Sequence, residues 1–246
     1  MTSALMPHSD AGALSVRSTV LSVLLGAHPE AIPPKRLIAA ARHFDMPASS
    51  VRVALTRAVA AGDLCRRDGG YGLGERLLQR QQRQNAALAP STRAWDGDWE
   101  TAVVVASSGR PSNERAALRE TLTRHRLAEL REGVWLRPAN LARSAAYDGD
   151  PALLTGRSRY DDPAQVVSRL WDLERWASDA VTIKRTFSGA DAPSRRLVAA
   201  AHLVRHLMTD PILPADLLPP SWPADDLRAT YATYQDELHQ LAAESA

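Results

Sequence analysis

Residues 47 to 73, PASSVRVALTRAVAAGDLCRRDGGYGL, leave the chain few ways to fold. Pro47 suits the opening of a helix. Val51, Ala54, Leu55 and Ala58 then fall on one helical face. Ser49, Ser50, Arg52, Thr56 and Arg57 fall on the other. Gly62 ends the helix and Leu64 restarts an apolar stretch. Arg66, Arg67, Asp68, Gly69, Gly70 and Tyr71 form a tight basic turn. A helix with an arginine-bearing polar face, followed by a basic hairpin, reads as a recognition helix and a wing. The segment therefore predicts DNA binding.

The preceding residues supply the rest of such a module. SVRSTVLSVLLG, from Ser15, predicts a first helix capped by Ser15, with Val16, Val20, Leu21, Leu24 and Leu25 inward. Pro33 to Phe44 predicts a second, with Leu37, Ala40, Ala41 and Phe44 inward. In a winged helix-turn-helix the third helix enters the major groove, where base edges are distinguishable. Arg52, Thr56 and Arg57 are its expected groove contacts. Ser49 and Ser50 are expected on phosphates beside the helix N-terminus. Arg66, Arg67 and Tyr71 are expected on backbone or minor groove from the wing. A helical trio that only scaffolds protein contacts is the alternative.

Charge supports the first reading. Residues 15 to 92 carry eleven Lys/Arg against five Asp/Glu, whereas residues 93 to 246 carry nineteen against twenty-two. A basic first third beside a mildly acidic remainder suits a polyanion at one end of the chain. No apolar run approaches the ~20 residues of a membrane span, so no membrane partner is expected. Residues 1 to 14 lack the pattern of a signal peptide and read as a disordered tail, and the expected location is the cytoplasm. Cys65 is the single cysteine, which excludes an intrachain disulfide or a cysteine metal cluster.

Residues 74 to 92 predict a polar, arginine- and glutamine-rich connecting helix, anchored by Leu77, Leu78 and Leu88, with a solvated basic face. From Trp95 the composition changes. A β-rich run spans Glu100 to Ala106, an amphipathic helix Pro111 to Leu127, and a second strand Ala128 to Leu136. With one or two further strands this order fits a small ferredoxin-like α+β domain over 93–160. Residues 161 to 246 predict a mainly helical domain, with helices over 164–180, 194–208 and 224–242. Ile212, Leu213, Leu217, Leu218 and Trp222 make DPILPADLLPPSWP too apolar for a solvated polyproline linker. It reads as a strap wrapped on the helices. The predicted fold class is thus α+β: winged helix-turn-helix over 15–73, connecting helix, ferredoxin-like middle domain and helical C-terminal domain.

Three stretches resemble the PaaX family, repressors of phenylacetate-degradation genes. They are Arg93-Ala-Trp95-Asp96-Gly97-Asp98-Trp99 before a valine strand, LRETLTRHRLAELREGVWLRP from Leu118, and HLMTDPILPADLLPPSWP from His206. The resemblance spans about residues 15 to 243. It implies an N-terminal winged helix, a middle domain similar to a CRISPR-associated endoribonuclease, and a helical C-terminal domain. It further implies a homodimer on an inverted-repeat operator, released by a small-molecule effector: phenylacetyl-coenzyme A or another aryl- or acyl-coenzyme A. Two departures stand out. The wing has Arg66-Arg67-Asp68-Gly69-Gly70-Tyr71 where the family has a Gly-Arg-Ser-like segment, and the first helix ends Gly26-Ala27 rather than Gly-Asp.

Enzyme chemistry is the competing class, as a residual metal-dependent nuclease in the ferredoxin-like domain. Phosphodiester cleavage needs carboxylates to hold Mg²⁺ and position water. The related nuclease places an aspartate at the end of its first strand; here the strand ends Val105-Ala106-Ser107-Ser108. Asp96 and Asp98 precede the strand and read as turn residues. No HExxH-type spacing occurs. His202 and His206 are four apart on one helix but lack further ligands nearby. Arg124-His125-Arg126 reads as a solvated basic patch, and Cys65 as a half-buried wing residue. Trp171, Trp176, Arg169, Arg175, Lys184 and Arg185 are the residue types an acyl-coenzyme A pocket requires, but they read as a tryptophan core and a basic edge. No effector site, cofactor, metal or catalytic residue is assigned.

Overall fold

The computed structural model describes residues 15–105 and 111–244, the side chains as far as 241. The predicted N-terminal tail and the end of the middle domain's first strand, including Ala106, Ser107 and Ser108, lie outside the described residues. The chain divides into two compact units. One comprises the residues up to Asn85, Thr182–Met208 and the residues from Asp226; the other comprises Ala86–Val181 and Thr209–Asp225.

In the first unit, α1 (Val16–Ala27), α2 (Pro34–Arg42) and α3 (Ala48–Ala60) pack on one another, followed by β1 (Leu64–Arg67) and β2 (Gly70–Leu73). Ser15 caps α1, its hydroxyl accepting the Ser18 N–H at 3.1 Å. The buried stripe of α1 is Thr19, Val20, Val23, Leu24 and Ala27, so Val16, Leu21 and Leu25 are only half-buried, against expectation. The buried faces of α2 and α3 are those predicted: Leu37, Ala40, Ala41 with Phe44, then Val51, Ala54, Leu55 and Ala58. The hairpin turns on Asp68 (φ 50°) and Gly69 (φ 72°), both left-handed, as a two-residue type I′ turn requires. Ile32 joins the wing through a single β-bridge, bonded both ways to Tyr71 at 3.0 and 2.9 Å. A Cβ on Gly70 would sit 2.7 Å from the Ile32 carbonyl carbon, so only glycine allows that approach.

The helix α4 (Glu75–Leu88) follows the wing. This unit also holds the end of α7 (Leu173–Ser188), then α8 (Pro193–Leu207) and α9 (Ala224–Glu244). Gln84 of α4 donates to the Tyr231 hydroxyl at 2.9 Å. A Cβ on Gly26 of α1 would meet Leu238 of α9 at 3.3 Å, so these helices also pack closely.

The second unit is built on β3 (Trp99–Val104), α5 (Ser112–Arg124), β4 (Ala128–Arg131), β5 (Val134–Pro138) and β6 (Leu153–Ser158). The sheet order is β4-β5-β3-β6 with every pair antiparallel, the ferredoxin-like arrangement. Residues 139–152 contain no helix, so the second crossover is irregular chain. The single strand expected over Ala128–Leu136 is a hairpin instead. Gly133, at φ 76°, turns the chain, and the extended run that sequence pattern sees is two strands. Leu118, Leu122 and Leu127 are buried as predicted, with Ala102 and Trp135.

The helix expected over 164–180 is broken. α6 (Pro163–Leu170) stops at Trp171, whose backbone is extended, and α7 restarts with Asp172 accepting the Arg175 N–H at 3.0 Å. The strap packs on helices as expected, Trp222 stacking on Trp176 of α7, and on the sheet as well. Leu213 joins Trp99, Leu136 and Val167 in one core cluster, with Leu217 and Leu218 against it. It is therefore bound to the sheet and α6. Arg137 on β5 is fully buried and fixes it, donating with Asn140 to the Ile212 carbonyl at 3.2 and 3.1 Å. Burial lowers the Arg137 guanidinium to about 9.

Candidate nucleic-acid interface

The helix α3 begins after Pro47, which supplies no side-chain cap. The first N–H groups therefore point outward unpaired within the helix, a natural anion site. Because Val51, Ala54, Leu55 and Ala58 fix one face inward, Ser49, Arg52, Val53, Thr56 and Arg57 are held outward as one exposed stripe. Ser50 lies half-buried at its flank. The Thr56 hydroxyl donates to the Arg52 carbonyl at 3.0 Å, which leaves its lone pairs and methyl facing out. A groove of about 450 Å³ runs beside the stripe, between Val16 and Arg17 of α1 and Ser49, Ser50, Val53 and Arg57 of α3.

The wing residues differ in availability. Arg66 is exposed, its guanidinium 5.6 Å from the Tyr71 ring centre and 3.4 Å from the Tyr71 hydroxyl. Arg67 is exposed but donates to the Pro29 carbonyl. Tyr71 is 8% exposed and paired to Ile32, so it supports Arg66 and anchors the wing instead of standing free. Cys65 is half-buried, its thiol 3.4 Å from the Leu73 carbonyl.

Two features escaped the sequence reading. Val53 is 50% exposed in the middle of a polar stripe. Its position one residue after Arg52, off the buried face, was the available signal. An exposed valine there suits contact with a thymine methyl. Asp63, just before β1, is buried and ion-paired to Arg17 of α1. Nothing in the local sequence links residues 46 apart.

Several polar residues elsewhere are engaged with one another. Glu100 on β3 accepts from Arg143 at 2.9 Å and from the Tyr147 hydroxyl at 2.5 Å. Burial and that carboxylate push the Tyr147 phenol upward, so it stays a neutral donor. Asp98 accepts from Arg159 at 2.6 Å, and Asp96 accepts the Asp98 N–H at 3.1 Å, which lowers the Asp96 carboxyl. Among the described residues no group of three or more His, Cys, Asp or Glu could hold a metal ion. The basic run at 124–126 is only partly solvated: Arg124 pairs with Glu120 at 3.0 Å and Arg126 donates to the Asp210 carbonyl. Trp176 stacks on Trp222 at 4.5 Å and donates to Thr209 at 3.0 Å, a packing role. Lys184 is ion-paired to Asp226 at 2.5 Å. No helix among the described residues is long and apolar enough to cross a membrane.

Comparison with known proteins covers nearly the whole chain. Residues 15–77 match the family described as PaaX-like protein. Residues 92–148 match the PaaX protein central Cas2-like domain, and residues 173–246 the PaaX-like protein C-terminal domain. A solved structure, the uncharacterized protein Rv0674 from Mycobacterium tuberculosis, is 42% identical with a TM-score of 0.86. That match covers 95% of this chain and 99% of the other. No curated protein matches.

Proposed function

We propose that this chain, which belongs to the PaaX family, is a transcriptional regulator that binds duplex operator DNA through α3 and the wing. The observation that supports this most is the outward stripe of Ser49, Arg52, Val53, Thr56 and Arg57, backed by a rigid apolar face and ending at an uncapped helix N-terminus. Arginines and a methyl-bearing side chain at helical spacing are the groups that read base edges, while free N–H groups and serines hold phosphate. Ser50 joins the serines at the flank, Arg66 and Arg67 add charge from the wing, and Tyr71 holds Arg66 in place.

The protein acts in the cytoplasm as a homodimer, each winged helix on one half of an inverted repeat. It represses, and an aryl- or acyl-coenzyme A such as phenylacetyl-coenzyme A releases it. DNA and effector then oppose each other by linkage.

A gel-shift titration on the promoter region of its own operon tests the reading. Arg52→Ala with Arg57→Ala is expected to weaken binding by about a hundredfold or more, since each good base contact contributes roughly 1–3 kcal/mol. The salt slope should fall by about 0.9 for each phosphate that the variant no longer neutralises. An unchanged shift, with the variant folded, refutes the contact assignment. No salt-sensitive shift of the wild type favours a protein-interaction module.

A further inference from the structure

A cleft in the winged-helix unit lies between α1, α4, α8 and α9 and encloses about 630 Å³, the size of a small-molecule site. Its walls are of two kinds. Leu21, Leu25, Leu197, Val204, Tyr231 and Leu238 make an apolar floor. Arg17, Arg76, Arg80, Arg83 and Arg205 stand around it, and Asp63 is the one carboxylate in the lining. Arg17 already pairs with that carboxylate.

Arg76, Arg80 and Arg83 follow helical spacing, so α4 presents them on one side. Together with Arg205 they are exposed, and among the described residues none is ion-paired to a carboxylate. Like charges gathered on one rim repel, and an anion between them relieves that repulsion. A second observation is independent of charge. Tyr234 borders the same cleft, its residue is 4% exposed, and its buried hydroxyl has no hydrogen-bond partner. Buried hydroxyls are ordinarily satisfied, so this one leaves an unmet hydrogen bond in the cleft wall.

We propose that the cleft binds a small anionic amphiphile, its apolar group on the α8–α9 floor and its phosphate groups on the arginine rim. A polyanion such as DNA would satisfy the rim but leave the apolar floor unfilled. This rests on the regulator reading above and deepens it by locating the effector's site.

Arg17 gives the site a route to α3. It borders the cleft and also the groove beside Ser49, Val53 and Arg57. An anion in the cleft competes with Asp63 for its guanidinium, so occupancy is felt at the recognition helix.

Isothermal titration of the full chain, without DNA, tests the site. The probes are phenylacetyl-coenzyme A, n-dodecyl phosphate and free coenzyme A, which lacks the tail. At least one amphiphile is expected to bind, and more tightly than coenzyme A. Reversing the rim (Arg80→Glu with Arg83→Glu) or filling the floor (Ala201→Trp, an exposed cleft residue) should each weaken it by about tenfold or more. Circular dichroism melts establish that the variants fold. Binding unaffected by both variants overturns the proposal, as does absence of binding by either amphiphile to the wild type. A rim reversal that costs DNA affinity but not probe affinity also overturns it. A gel shift of the unliganded wild type tests the regulator reading separately, so either can fail alone.

Discussion

Removing Arg17 should destabilise the winged-helix unit, and removing Asp63 as well should restore much of the loss. The Asp63 side chain is 5% exposed and that of Arg17 is 56% exposed. Fully exposed pairs contribute about 0.2–1 kcal/mol, whereas breaking a fully buried pair costs about 3–5 kcal/mol. This pair lies between those limits, because water screens only the arginine. Arg17→Ala therefore is expected to cost about 1–3 kcal/mol, most of it the penalty of a carboxylate left buried without a cation. Arg17→Ala/Asp63→Ala removes that carboxylate and should recover at least half. Urea unfolding followed by circular dichroism measures both values, and the double-mutant cycle isolates the pair. A double variant less stable than Arg17→Ala refutes the reasoning. So does an Arg17→Ala midpoint equal to that of the wild type. The same variants show whether α1 and the start of β1 are held together by this ion pair.

Two further outcomes follow from local features. Val53→Ala should weaken specific DNA binding by roughly 1 kcal/mol and leave the salt slope unchanged, since an apolar contact releases no counterion; a gel shift at two salt concentrations separates this from removal of Arg57. His125 in the ferredoxin-like unit has its imidazolium disfavoured by burial, then by Arg143 and Arg124, with Glu100 opposing. Its folded pKa lies below the ordinary histidine value, so the unfolded chain takes the proton first. The stability it contributes is present above about pH 6.5 and is lost as pH falls through its lowered folded value. Denaturant midpoints at pH 7.5 and 5.5 should therefore fall less in His125→Asn than in the wild type, and an equal fall sinks the assignment.

The three N-terminal helices and the wing were legible because their signals are local. Apolar spacing fixes the faces of α2 and α3, and Asp68-Gly69 fixes the turn. The α1 stripe was read less well, since its Thr19 and Ala27 are buried by neighbours that the helix's own sequence does not reveal. The break between α6 and α7 was missed because periodicity runs through Trp171 without interruption. Only the extended backbone there, with Asp172 capping the next turn, divides the helices. The β4–β5 hairpin was missed because Gly133 was read as part of a strand, not as its end.

The sequence by itself determined the α+β class, the order of the modules, and which side of α3 is polar. Those properties depend on residues within a few turns of one another. Tertiary structure alone decided where the DPILPADLLPPSWP strap lies, because buried Arg137 and Asn140 bond to the Ile212 carbonyl more than 70 residues away. It also decided that Tyr71 anchors the wing, that Arg17 meets Asp63, and that the arginines of α4 gather on one cleft with α8 and α9. In each case the partner is distant in the chain. Burial and charge are properties of the assembled neighbourhood, and no local pattern of residues specifies them.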